Sequence, residues 1–358
     1  SKIRRNTVMR IDPSTLKNLE LFQSLSSDGD HGTLISTIDH TKTPMGARLL
    51  KKHIRAPLLS KNKINNRLKL VEEFINKYVD NNIISDELKE VSDIPRILAK
   101  IATNKCNPRD LINLSNSLLV LPKIKKLVSK SKPILKVISK STNTRKVCKE
   151  INRIIIDDPP LKLHKGGFIK QGVSKKLDKL RSISDNANKW LVDFQENQKI
   201  KTGINSLKIS YNKVFGYYID VTKTHLDKVP STYIRKQTLT NSERYFTEEL
   251  KEYEEKILSS SEKTILLENS IFEKLVETIL NNVKTIQNNS NIIAQLDIIS
   301  SHAVTARTNN YIKPKIIDKS TKFVVKKSKH PVIENLLPPG EKFISNDIDL
   351  DNDILSKH

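Results

Sequence analysis

The sequence predicts a mainly α protein: a helical core domain with long antiparallel lever helices carrying a small β-rich unit at the tip. Three observations predict it. Over residues 247–303 apolar side chains recur every three or four positions, among them Leu250, Tyr253, Ile257, Phe272, Leu275, Ile279, Ile286, Ile293 and Leu296, with no Pro or Gly between them. At ~1.5 Å per residue a continuous helix of roughly 55 residues would run ~80 Å and would need a partner along its length. That partner is read in residues 173–200, where Leu177, Leu180, Ile183, Ala187, Trp190, Leu191 and Phe194 keep the same period, so the two pack as an antiparallel hairpin. Between them, over 203–246, the pattern changes to that of strands.

The composition bounds the partners. A chain of 358 residues has room for two or three domains. Its 63 Lys and Arg stand against 40 Asp and Glu, a formal charge of +23, which favours a polyanion, nucleic acid before an acidic membrane. Enrichment in Lys, Asn and Ile, as an AT-rich genome gives, is an alternative source for part of that excess. Two cysteines, Cys106 and Cys148, make neither a disulfide framework nor a metal site of the usual spacing, and point to a reducing compartment. No apolar run approaches the roughly 20 residues that span a bilayer, and no charged-then-apolar leader opens the chain. The reading is a soluble, internal protein with no membrane partner.

The elements follow in order. Residues 1–173 read as the helical core domain. Thr43 before Pro44 is an N-cap with Pro at the first helical position, opening a helix through Leu49, Leu50 and Ile54 that stops at Pro57. Further helices are expected over 60–79, 85–91 and 108–121. Residues 122–149 are densely basic, either a nucleic-acid face or a solvated helical surface, and His164-Lys165-Gly166-Gly167 reads as a turn. The first lever helix occupies 174–202. In 203–246, strands are expected at Leu207-Lys208-Ile209-Ser210-Tyr211, from Val214 to Val221, and from Tyr233 to Thr238, with a turn at Asn212-Lys213. Lys208, Lys213, Lys223, Lys228, Arg235 and Lys236 put basic charge at this tip. The returning helix takes 247–310, and 311–358 begins a β-rich region with short strands at Phe323-Val324-Val325 and Phe343-Ile344.

Five stretches in order resemble the MutS family of DNA mismatch-repair ATPases. They are Arg10-Ile11-Asp12 with Asn18-Leu19-Glu20-Leu21; Asp39-His40-Thr41-Lys42-Thr43-Pro44-Met45-Gly46-Ala47-Arg48; Tyr211-Asn212-Lys213-Val214-Phe215-Gly216-Tyr217-Tyr218-Ile219; Lys236-Gln237-Thr238-Leu239-Thr240-Asn241-Ser242-Glu243-Arg244-Tyr245; and Lys329-His330-Pro331-Val332-Ile333-Glu334. The resemblance covers almost the whole chain. It implies that 1–173 with the two levers is the family's core, that 203–246 is the clamp closing on duplex DNA, and that 311–358 is the incomplete start of the ATPase domain.

By the same resemblance Lys236, Gln237, Thr238 and Asn241 fall near the clamp's DNA contacts, with Asn212, Lys213 and Arg235 as neighbours, and Phe343 sits where the family sets an aromatic against adenine. Such residues suit a backbone grip: Lys and Arg neutralise phosphate, while Asn, Gln and Thr bond phosphate oxygens without choosing a base. Asn241 reads equally as a cap of the returning helix. Phe215, Tyr217 and Tyr218 read as packing of the clamp core. The phosphate-loop string G-x-x-x-x-G-K-[ST] does not occur, so no enzyme activity is expected of this chain, while the full-length family protein would be an ATPase using ATP and magnesium. In the family the mismatch is probed by an N-terminal domain carrying a Phe-x-Glu motif, and the sequence is expected to start after that domain. Double-stranded DNA is the expected partner. The longer protein is expected to form a homodimer, to meet downstream repair factors, and to work in a bacterial cytoplasm at the nucleoid, or in a nucleus or organelle. A helical scaffold that binds protein and not DNA is the competing reading. Catalysis has no support, since the eight histidines show no ligand spacing.

Overall fold

The computed structural model describes residues 7–25, 29–76, 80–161, 166–212, 214, 216–318 and 322–350, without the side chains at 184, 185, 187 and 188. The expected turn at His164-Lys165 and the positions Lys213, Phe215 and the Ala187 side chain lie outside them. The fold is mainly α. In chain order the helices are α1 (Pro13–Asn18), α2 (Leu34–Ile38), α3 (Pro44–Arg55), α4 (Lys61–Ile75), α5 (Asn81–Lys89), α6 (Ile94–Ala102), α7 (Pro108–Leu127), α8 (Lys132–Ile138), α9 (Arg145–Ile154) and α10 (Lys175–Thr202). Strands β1 (Lys208–Asn212), β2 (Gly216–Thr222), β3 (Ile234–Thr238) and β4 (Ser242–Phe246) follow. Then come α11 (Glu248–Leu280), α12 (Val283–Thr308), β5 (Phe323–Ser328), α13 (Pro331–Leu336) and β6 (Asn346–Leu350). The chain divides into two compact units: 1–106, 113–149 and 279–358 form the first, and 107–112 with 150–278 the second.

Local chemistry sets the helix starts. The Thr43 hydroxyl accepts from Gly46 N at 2.9 Å, as Thr-Pro at a helix start predicts. Asp12 caps α1, accepting from Thr15 N at 2.9 Å, and Asp93 caps α6. The helix expected at 85–91 begins earlier because the Asp80 carboxylate takes the N–H groups of Asn82 and Ile83 at 3.0 and 3.3 Å. The helix expected to stop at 121 runs through Pro122 instead. Ile124 and Val128, both wholly buried, extend its apolar period, and their burial outweighs the bond that Pro122 cannot donate.

The single helix expected over 247–303 is two. Asn282, at φ −109° and ψ 9°, leaves the helical region, and its N–H bonds Ile279 O at 2.9 Å in a tightened last turn. Consecutive asparagines are poor helix formers and supply the break. Within the first unit α12 is buried on most sides, and its polar residues are met one by one. Asn289 accepts from Thr142 N at 2.9 Å, Ser300 donates to Asn81, Ser301 accepts from His40 N at 2.9 Å, and Asp297 accepts from the start of α3. Ile35, Leu50 and Ile298 form a core cluster with Phe22, Leu49 and Ile54 against it. The pair β5 and β6 is antiparallel, so the strand expected at Phe343-Ile344 lies a few residues later; Phe343 sits half-buried before it.

In the second unit α10 and α11 run antiparallel. Trp190 stacks on Tyr253 with ring centroids 3.6 Å apart, Ser260 donates to Leu180 O at 2.8 Å, and Arg181 pairs with Glu268. Glu268 is wholly buried and also accepts from Gly167 N at 2.7 Å, so the carboxylate is served on both oxygens.

Candidate nucleic-acid interface

Gly203 ends α10 in the left-handed region at φ +66°, its N–H bonding Lys199 O at 2.8 Å, and turns the chain into the sheet. The four strands pair antiparallel in the order β1-β2-β4-β3. Ile219 and Val221 of β2 and Tyr245 of β4 pack with Ile204, Leu207, Tyr233, Phe194 and Leu250 into one core, with Tyr217 against it. Burial pushes the Tyr233 and Tyr245 hydroxyls up to about 12, so both remain donors, Tyr233 to Gln198 and Tyr245 to Glu243. On the opposite side of β2, Tyr218 is covered by the Arg244 guanidinium 4.3 Å from its ring centroid. Arg244 then donates to Gln237 Oε1 at 2.8 Å. Tyr217 and Tyr218 are thus packing groups, on opposite faces.

The sheet brings most of the expected residues to one edge. Strand β3 is an edge strand, and its ladder shifts between Arg235, opposite Tyr245, and Gln237, opposite Arg244. Lys236 is the extra residue of this bulge, exposed, with its ammonium 5.1 Å from the Phe246 ring centroid. Arg235 is 64% exposed and lies 3.6 Å from the Glu243 carboxylate, which leaves most of the guanidinium to solvent. Thr238 is exposed, and Gln237 is half-buried with its carbonyl oxygen engaged by Arg244. An edge strand at a bulge with two cations and a hydroxyl presents donors outward and no base-reading groove element.

Asn241 lies in the turn between β3 and β4, exposed, with its carbonyl accepting from Lys223 N at 3.1 Å. It does not cap the returning helix. Thr247 does, accepting from Leu250 N at 3.2 Å, because an unexpected fourth strand intervenes. Asn212 is set apart from this group, on β1 at the other edge, where its side chain accepts from Val214 N at 2.8 Å. Lys213 lies outside the described residues. Sequence reasoning named Lys223 for its charge alone, not for the backbone N–H that fastens the Asn241 turn, and did not single out Arg244, which ties Gln237 to Tyr218. The alternation of Glu243 and Tyr245, both buried, was the available sign of β4. Among the described residues no group of His, Cys, Asp and Glu is placed to hold a metal ion, and no helix is long and apolar enough to cross a membrane.

The sequence has relatives among known proteins. The family described as MutS domain III matches residues 14–303. The chain is 42% identical to the DNA mismatch repair protein MutS of Bacteroides fragilis over 98% of its own length and 41% of that protein. To the MutS proteins of Caldanaerobacter subterraneus and Methanosarcina mazei it is 41% identical in each case, over 96% of its length and 40% and 38% of theirs. It therefore spans about two-fifths of the curated relatives it matches.

Proposed function

Starting from a chain that belongs to the MutS family of DNA mismatch-repair proteins, we propose that it is the duplex-gripping core region of such a protein. The observation that carries the reading is the β3 edge, where Arg235, Lys236 and Thr238 stand exposed around a bulge and Asn241 follows in the next turn. In this proposal Arg235 and Lys236 neutralise phosphates and release counterions, and Thr238, Asn241 and the Gln237 amide donate to phosphate oxygens. None of these contacts selects a base, so the grip is indifferent to sequence. Asn212 takes no part in the same contact, being on the other edge.

In a longer protein of this family, we further propose that α10 and α11 couple nucleotide state to closure of this sheet on DNA. Their stacked Trp190 and Tyr253 and the buried Arg181–Glu268 pair make them a stiff pair able to carry such a motion. ATP and magnesium would act through a phosphate loop supplied by the rest of that protein, with Phe343 a candidate for the adenine face, and homodimerisation and downstream repair factors belong to the same proposal. The test is fluorescence anisotropy of labelled homoduplex and mismatched duplex against this chain at graded salt. The expected result is affinity that falls linearly in log–log form with salt, with little mismatch preference. Binding that ignores salt overturns the phosphate grip, and absence of duplex binding at low salt favours the protein-binding scaffold.

A further inference from the structure

The first unit holds a cavity of about 750 Å³ framed by α3, α4, the last turns of α12 and residues 311–313. Its size falls in the range of small-molecule sites, and its walls are mainly aliphatic, with Leu50, Leu68 and Val71 among them. Eight of its lining residues are polar, and the formal charges among them do not balance. Glu72 and Lys313 are 2.9 Å apart and neutralise each other. Arg67 has no carboxylate partner among the described residues; its Nη2 lies 2.9 Å from His53 Nε2.

That contact fixes a proton. A guanidinium can only donate, so His53 Nε2 accepts, and the imidazole is the neutral tautomer with its hydrogen on Nδ1. His53 therefore orients Arg67 without offsetting its charge. The Nδ1–H is itself buried, with no acceptor among the described residues. Burial and Arg67 hold His53 down to about 4, and the same two causes lower His302 against the Asp39 carboxylate, which raises it. One half-buried cation above an aliphatic hollow is the complement of one anionic head on one hydrocarbon body.

We propose that this cavity binds a small carboxylic acid with an apolar body, the carboxylate pairing with Arg67 and the hydrocarbon lying against Leu50, Leu68 and Val71. The site is independent of the β3 edge and of the DNA reading. The probes are naphthoate and its neutral counterpart naphthylmethanol, titrated calorimetrically into the 358-residue chain. Naphthoate is expected to bind about tenfold or more tightly than the alcohol, since only it satisfies the charged donor. Arg67→Met is expected to abolish that preference at an unchanged circular dichroism spectrum, while Arg67→Lys keeps part of it. In the unaltered protein, nuclear Overhauser contacts from naphthyl protons to the Leu68 and Val71 methyls are expected whatever the variants do. Equal affinity for the two probes, no binding of naphthoate, a preference that survives Arg67→Met, or contacts to other methyls would each overturn the assignment.

Discussion

Thr43 and Asp297, distant in sequence, share a buried carboxylate: Asp297 Oδ2 accepts from Thr43 N at 2.8 Å and from Thr43 Oγ1 at 2.6 Å, while Oδ1 accepts from Lys42 N at 2.9 Å. The same Thr43 hydroxyl accepts from Gly46 N, so the start of α3 and the middle of α12 are one hydrogen-bonded unit. Gly46 is the close approach that permits it, because a Cβ there would stand 2.1 Å from Asp297 Oδ2. Gly46→Ala is expected to lower the melting temperature of the chain, although alanine is the better helix former, with a loss of about 1–3 kcal/mol from the forced displacement. Thr43→Val removes the cap and the bond to Asp297 and is expected to cost about 1–3 kcal/mol. Chemical denaturation followed by circular dichroism measures both.

Glu268 makes the corresponding test in the second unit. Glu268→Ala leaves Arg181, among the described residues, with the Ile169 carbonyl at 2.9 Å and no carboxylate, and is expected to destabilise by about 3–5 kcal/mol. Replacing both members together by methionine is expected to recover most of that loss. The only tryptophan, Trp190, lies in the same unit, so its fluorescence during urea unfolding reports this transition directly.

The interface separates into residues with different expected effects. Lys236→Ala is expected to weaken duplex binding alike for all sequences and to reduce the salt slope by about one. Asn241→Ala should weaken binding with the slope nearly kept, since no charge is lost. Asn212→Ala should leave the isotherm unchanged. Anisotropy at several salt concentrations distinguishes the three, and an Asn212 effect as large as that of Lys236 would move the contact to the other edge of the sheet.

A histidine held at about 4 when its ordinary value is 6.5 makes stability depend on pH. Unfolded chains take up a proton at His53 as pH falls through 6.5, and the folded protein does so only near 4. The contribution is therefore fully present above pH 6.5 and lost progressively down to about 4. His53→Gln should flatten that part of the profile, read as the difference in urea midpoint between variant and parent across this window.

Local chemistry was legible and long-range chemistry was not. Thr43-Pro44 announces its helix because cap and first turn lie within four residues. The period of 247–303 announces helix, but says nothing of the break at Asn282, since asparagines fall among the solvated positions of any helix. Strand β4 was hidden because one of its inward residues is Glu243, a carboxylate made tolerable by Tyr245 and Arg235. At the candidate interface the residue types could be read, whereas their division between two edges depends on the strand order. The pairing of Arg67 with His53, on the successive helices α3 and α4, leaves no trace in sequence spacing.

The bulge at Lys236 separates charge from pairing. Without that residue the ladder would still read Arg235 to Tyr245, Gln237 to Arg244 and Thr238 to Glu243, an unbroken antiparallel register. The pairings on either side of position 236 therefore do not depend on it, while the bulge itself bends and twists the edge there. A change of charge at position 236 leaves every pairing in place, so the strength of a polyanion grip can be altered by substitution there while the scaffold beneath it stays fixed.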